Sequence, residues 1–325
     1  MSDFFDATQT KLTIGKLELV GFTRGAFKTG LILFPYKICL DAGFVHPFEA
    51  QMYLISHGHL DHIAELYPNL AANTPGKIPK IITTPGLLPM IRDYLNANAS
   101  MSVGKSTQYK KYEGHGLTVK QLFTIEDQNM TVEIEPFQMV HSVESIGFGV
   151  SEMREKLKPE FVGKTPSELI EIKKTYKINH QVPVPMFLFC GDTGCEVLPT
   201  LPFSKFPLVI IESTFLGPDD KPFAIDKQHL HISDLEPYFL ANPTTTFVLI
   251  HFSNRYKLEE IQEYQKIYEE KYKNIEFFVG VGKRNARLVV EDIDSELKKA
   301  RKEAKEAKKA EKDAKKAEKH NNIGE

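Results

Sequence analysis

The 325-residue chain has 41 Lys and Arg against 43 Asp and Glu, 42% apolar residues and no tryptophan, which suits one ordinary folded domain with a tail. No run reaches 18 consecutive apolar residues, and the start, Met1-Ser2-Asp3-Phe4-Phe5-Asp6, lacks the charged and apolar regions of a signal peptide; no membrane partner and a cytoplasmic or nuclear location are expected. The segment from Glu296 to Glu325 holds 11 basic and 7 acidic residues, leaving a body of 30 against 36, a balance of −6 that argues against extended nonspecific nucleic-acid binding while leaving room for a local basic patch.

Residues 12–20 and 31–40 read as strands around a turn at Gly21-Phe22-Thr23-Arg24-Gly25, and Asp41 ends the second. The apolar run Met52-Tyr53-Leu54-Ile55 then leads into His57-Gly58-His59-Leu60-Asp61-His62, which opens a helix through Leu66 and Leu70. Three imidazoles and a carboxylate at this density suit a divalent metal, zinc first. A tight turn can send His57 and His59 to one side and Asp61 and His62 toward a second position about 3.5–4 Å away, the spacing of two-metal sites.

Here the chain resembles the metallo-β-lactamase superfamily, whose HxHxDH motif residues 57–62 match letter for letter. The resemblance implies an α/β fold, the αββα sandwich. It also implies a lone His, an Asp shared by both metals and a last His, each closing a later strand. It assigns Asp41 the role of orienting the ligands from behind; a plain turn aspartate is the alternative.

Further along, 81–84 reads as a strand, Pro85–Leu95 as a helix, and 117–123 and 131–140 as strands, the last ending at His141. Residues 151–185 carry Lys156, Lys158, Lys164, Lys173, Lys174 and Lys177 among prolines and a glycine. They read as an inserted lobe with a helix near 167–176, either a solvated surface or a basic arm that grips substrate. Met186-Phe187-Leu188-Phe189 leads to Asp192, flanked by Gly191 and Gly194. Leu208-Val209-Ile210-Ile211 leads to Glu212, and Thr246-Phe247-Val248-Leu249-Ile250 to His251. The expected lone ligands all occur, in order. Residues 257–272 form an amphipathic helix with Leu258, Ile261, Tyr264, Tyr268 and Tyr272 as its packing stripe, and 275–281 is a closing strand. From about Asn285 the chain reads as helical. A domain over 1–295 is thus followed by a Lys/Glu/Ala-rich tail over 296–325, a solvated helix or disorder. Cys39, Cys190 and Cys195 cannot all pair and read as thiols in a reducing compartment, with Cys190 or Cys195 as a metal ligand the alternative.

The superfamily's metal set serves several hydrolyses, so other stretches choose among them. His251-Phe252-Ser253-Asn254-Arg255-Tyr256 resembles the HFSxRY signature of tRNase Z, and Ile211-Glu212-Ser213-Thr214-Phe215 its HEATF stretch, with Ile211 and Ser213 replacing His and Ala. That resemblance implies a short-form tRNase Z-like zinc phosphodiesterase, a homodimer as short forms are, removing the 3′ trailer of precursor tRNA or acting on another RNA. His57, His59 and His141 would hold one zinc, and Asp61, His62 and His251 the second, with Asp192 shared; Mn2+ or Fe2+ could replace Zn2+. Water activated between the metals attacks phosphorus, and Asp61 can take its proton. Glu212 with His229 or His231 would protonate the leaving 3′ oxygen, and Arg255 would hold a phosphate oxygen. The chain departs from the family's DxGEGTQ at Asp41-Ala42-Gly43-Phe44-Val45-His46-Pro47 and has no Gly-Pro-rich arm. Two alternatives stand beside this reading: a metallo-β-lactamase-fold hydrolase of a small cyclic nucleotide or thioester, and a nucleic-acid-binding protein with little catalysis.

Overall fold

The computed structural model describes residues 7–74, 76–127 and 130–282. It divides into two units. In the smaller, β1 (Ala7–Thr8) pairs antiparallel with β16 (Val281–Gly282). The expected helix from Asn285 and the tail over 296–325 lie outside the described residues.

The larger unit, Gln9–Gly280, holds two seven-stranded sheets. The first runs in chain order: β2 (Thr10–Ile14), β3 (Leu17–Arg24), β4 (Lys28–Phe34), β5 (Ile38–Leu40), β6 (Met52–Leu54), β7 (Lys80–Thr83) and β8 (Glu113–Gly116). It is antiparallel up to β5 and parallel from there to β8. The second sheet repeats that plan with β9 (Phe123–Asp127), β10 (Met130–Gln138), β11 (Ile146–Leu157), β12 (Asn179–Phe189), β13 (Leu208–Glu212), β14 (Thr246–Ile250) and β15 (Ile275–Phe277). It is antiparallel up to β12 and parallel from there to β15.

Side chains alternate across each strand, so every strand feeds two layers. Leu31 and Leu33 of β4 and Phe187 and Phe189 of β12 join one buried cluster between the sheets, with Leu54, Ile82, Phe148 and Ile210. Their neighbours face outward. Ile32, Tyr53 and Ile81 pack with Ile91 and Leu95 of α3 (Leu87–Val103), behind α1 (Leu60–Ile63) and α2 (Leu66–Ala71). Leu188, Val209 and Phe247 pack with Leu235 and Phe239 of α6 (Ile232–Ala241) and Ile261 of α7 (Leu258–Lys271). The result is an αββα sandwich in which each buried Leu, Ile or Phe contributes about 1.5–3 kcal/mol. The remaining helices are α4 (Pro166–Lys173) and α5 (Lys221–Lys227). Among the described residues no helix is long and apolar enough to cross a membrane.

Several sequence expectations need correction. The strand over 12–20 is a hairpin, turning at Gly15 with φ 58°. The turn placed at residues 21–25 lies largely inside β3, where Gly21 is needed because a Cβ would collide with the Gly30 carbonyl across the ladder. Residues 117–122 carry the alternation of a strand but form the link from the edge of one sheet to the edge of the other, since β8 and β9 flank them. In the Lys-rich stretch, 151–157 and 179–185 continue β11 and β12, and α4 between them starts with Thr165 and Glu168 in a reciprocal capping box.

Candidate metal centre

The functional side chains gather where the parallel strands end. β5 delivers Asp41, β6 delivers Ser56 and His57, β12 delivers Asp192, β13 delivers Glu212 and β14 delivers His251. Three of these exits turn through left-handed backbone: Asp41 (φ 57°), Gly191 (φ 64°) and His251 (φ 64°). Gly191 is further constrained because a Cβ there would strike Ser56.

His57, His59, His141 and Asp192 bring one ligand atom each into a group, as do Asp61, His62 and His251, with all atoms of a group within 4.8 Å of one another. A third such group joins Asp192, His229 and His251. The Asp192 Oδ2 atom sits centrally, 3.3 Å from His62 Nε2, 3.4 Å from His251 Nε2 and 3.7 Å from His57 Nε2. His59 Nδ1 lies 3.1 Å from His57 Nε2 and 3.2 Å from His141 Nε2, so three imidazole nitrogens converge on one point.

Hydrogen bonds behind the ligands fix which nitrogen carries the proton. Ser56 Oγ gives its hydrogen to Asp41 Oδ2 at 2.9 Å, so it can only accept from His57 Nδ1, also at 2.9 Å. His62 Nδ1 donates to the same Asp41 oxygen at 2.7 Å, and His141 Nδ1 to the Gln228 carbonyl at 3.0 Å. In the second sheet Thr214 Oγ1 gives its hydrogen to Glu212 and accepts from His251 Nδ1 at 2.9 Å. Lone pairs of Nε2 atoms from four histidines are thereby turned inward, alongside Asp61 and Asp192. That donor set is suited to a divalent metal.

The charge balance points the same way. Burial would lower the pKa of His62, yet the charges of Asp192 and Asp41 overcome it and hold it well above the usual imidazole range. Burial likewise opposes ionisation of Asp192, but His251, His62 and His57 pull it well below the usual carboxylate range. His57, by contrast, is pushed down by burial first and by neighbouring histidines.

Beside this cluster Glu212 is fully buried and collects hydrogen bonds from Thr193 N, Leu230 N and Thr214 as well as His229 Nδ1, the last at 2.8 Å. Burial works to lower the His229 pKa, but the Glu212 charge and hydrogen bond raise it to about 9. Of the two histidines left open by the sequence, His229 meets Glu212. His231 instead caps α6, with Nδ1 on Ser233 and Nε2 donating to the Gly217 carbonyl at 2.8 Å. Arg255 is not aimed freely at the cluster: Nη1 pairs with Asp220 Oδ1 at 2.7 Å. Cys190 is buried outside the ligand groups, its thiol pushed up by burial first, and Cys195 is also outside them.

Sequence reasoning passed over Ser56, Thr214, Thr23 and Arg24. The His251 amide donates to Thr23 Oγ1 at 3.0 Å, and the buried Arg24 guanidinium donates to the carbonyls of Ser253 (3.2 Å) and Tyr256 (2.6 Å), clamping the loop after β14. Hydroxyls and a lone arginine beside strands carry no spacing signal; only adjacency to ligand positions could have flagged Ser56 and Thr214.

No family model matches the chain. It is 28% identical over 265 residues to tRNase Z TRZ1 of Arabidopsis thaliana, covering 75% of this chain and 88% of that one. Among solved structures it is similar to the metallo-β-lactamase fold protein YhfI from Bacillus subtilis (14% identity, TM-score 0.51, 80% of this chain and 94% of that). It is also similar to human tRNase Z, short form (16% identity, TM-score 0.50, 80% and 95%). The layers and the His/Asp cluster at the strand ends define a metallo-β-lactamase-fold protein with a centre for a divalent metal. Its sequence, in turn, is similar to that of a tRNase Z.

Proposed function

We propose that this chain is a metal-dependent phosphodiesterase that removes the 3′ trailer from precursor tRNA. The observation that carries the reading is the Glu212–His229 pair beside a metal-type cluster: one arrangement holds a phosphodiester and places an acid next to its leaving oxygen. The sequence similarity to tRNase Z supports the choice of substrate.

His57, His59, His141 and Asp192 would hold one metal ion and Asp61, His62 and His251 a second, with Asp192 facing both; zinc fits the imidazole-rich set. Such a pair lowers the pKa of water from about 15.7 toward 7 and polarises phosphoryl oxygens. Burial opposes ionisation of Asp61, but its hydrogen bond to His251 and the charge of His62 hold it below the usual carboxylate range, so it is ionised at neutral pH and would take a proton of the attacking water as a weak base. His229 keeps one proton on Nδ1 against Glu212, while Nε2 has no hydrogen-bond partner among the described residues. The imidazolium proton on Nε2 is therefore the one available to the leaving 3′ oxygen, a step worth about 10²–10⁴ in rate.

A homodimer, a cytoplasmic or nuclear location and a lysine-bearing arm over 151–185 belong to the same proposal. A small cyclic nucleotide or thioester substrate is the alternative, favoured by the missing Glu and Gln after Gly43. Cleavage of a precursor tRNA by the zinc-loaded chain, beside Asp61→Ala and Glu212→Ala, tests the choice. A cut after the discriminator base, abolished in the first variant and strongly slowed in the second, is expected; intact tRNA with turnover of small diesters would favour the alternative.

A further inference from the structure

Arg255 lies inside a column of rings that leads away from His229. The Phe215 ring is 6.2 Å from the His229 imidazole, and the Arg255 guanidinium carbon stands 5.1 Å over Phe215 and 5.0 Å over Phe223. Phe215 is buried, whereas Phe223, on α5, is 50% exposed. Asp220 fixes the column sideways, taking Arg255 Nη1 on one carboxylate oxygen and the Tyr256 hydroxyl on the other. An exposed phenylalanine locked against a cation is a rigid apolar face at the outer end of a column whose inner end meets the proposed acid. Nothing in the site as described so far uses it.

We infer that the outer face of Phe223 is a platform for the nucleobase of the nucleoside that carries the leaving 3′ oxygen. The inference rests on the phosphodiesterase reading. His229 Nε2 must reach that oxygen, so its nucleoside extends to the His229 side of the metal cluster, where the column stands. Phosphate is a poorer occupant, because the Asp220 carboxylate already claims the guanidinium and would repel an anion beside it. A neutral ring meets no such repulsion and gains stacking, which is tolerant of base identity because all four bases have a π face. The platform thus accepts any base at that position.

The test is a double-mutant cycle on the metal-loaded full chain. One axis is Phe223→Leu, with Phe223→Trp as the conservative control. The other is an RNA substrate with or without a base on the nucleotide 5′ to the scissile phosphate. The expected result is a loss in kcat/KM of about tenfold for Phe223→Leu on normal RNA, a similar loss for wild type on abasic RNA, and little further loss when the two are combined. Phe223→Trp should stay close to wild type. A second readout needs no cleavage: an oligoribonucleotide ending in 3′ 2-aminopurine should be quenched on binding wild type and Phe223→Trp, and not on binding Phe223→Leu. Additive losses, or equal quenching with Phe223→Leu, overturn the platform. Absence of RNA cleavage with the quenching pattern intact overturns the phosphodiesterase reading and leaves the platform standing as a nucleobase site.

Discussion

Thr214 Oγ1 lies 2.9 Å from His251 Nδ1 and hands its own hydrogen to Glu212, so it fixes the ring of His251 with its Nε2 lone pair inward. Ser56 does the same for His57 in the first sheet, using Asp41. Each sheet thus supplies a buried carboxylate and a hydroxyl that between them hold two histidines, His57 and His62 in the first and His251 and His229 in the second. Thr214→Val removes the acceptor from His251 and the donor from Glu212, and metal affinity should fall about 10–100-fold while Thr214→Ser keeps it. Competition against a chromophoric chelator measures this; equal affinity in Thr214→Val would show that the hydroxyl does not orient the ring.

Metal uptake should be linked to protons. His62 is protonated well above its ordinary value of 6.5 because Asp192 and Asp41 outweigh burial, and a metal entering at Nε2 must displace that proton. Below the raised value, apparent affinity should climb about tenfold per pH unit, and above it flatten. In the metal-free protein the sign is opposite: the stability from protonated His62 is complete below 6.5 and is lost as pH rises through the raised value. Calorimetry in two buffers of different ionisation enthalpy should register about one proton released; no release contradicts the assignment.

His229 has its pKa at about 9, so its acid form persists through neutrality and disappears above that value. Hydrolysis of a diester with an alkoxide leaving group should decline above about pH 9. His229→Ala should slow it about 10²–10⁴-fold at pH 7 and abolish the decline. A p-nitrophenolate leaving group needs no proton, and its release should be far less affected. Equal losses on both substrates would remove His229 from the role of acid. In the metal-free protein the His229–Glu212 pair adds stability that is complete below 6.5 and is lost as pH passes about 9.

Arg24→Gln should loosen the loop that follows β14. The buried guanidinium donates to the carbonyls of Ser253 and Tyr256; Ser253 also accepts from the Tyr256 amide, so an amide on a shorter stem deprives chiefly the Tyr256 carbonyl of its donor, at about 1–3 kcal/mol. A lower melting temperature with faster amide exchange across 251–256 is expected. Unchanged exchange there would mean that the loop is held by other contacts.

The ligand positions were legible because a charged or imidazole side chain closing an apolar strand has few other uses. The resemblance carried by residues 57–62 told where to look, His141, Asp192 and His251 were then found at the ends of apolar runs, and the two-sheet arrangement came from that resemblance rather than from the runs themselves. His229 and His231 were not separable, because two residues of spacing in a loop say nothing about which one a carboxylate faces; the fold decides by spending His231 on the cap of α6. The 117–122 link imitated a strand through its spaced apolar residues, but only Leu117 is buried, while Val119 and Leu122 face solvent. Arg255 was assigned to phosphate on resemblance alone, and its partner Asp220 stands 35 residues earlier, beyond the reach of any local pattern.

The bond from the His251 amide to Thr23 joins residues 228 positions apart, and the Arg24 clamp on Tyr256 spans 232. Closure over such separations comes late in folding. On a ribosome, residues 57–62 emerge long before the partners that complete their coordination. A nascent chain therefore exposes a partial set of ligands until synthesis has passed residue 256, and its metal affinity rises sharply only beyond that point.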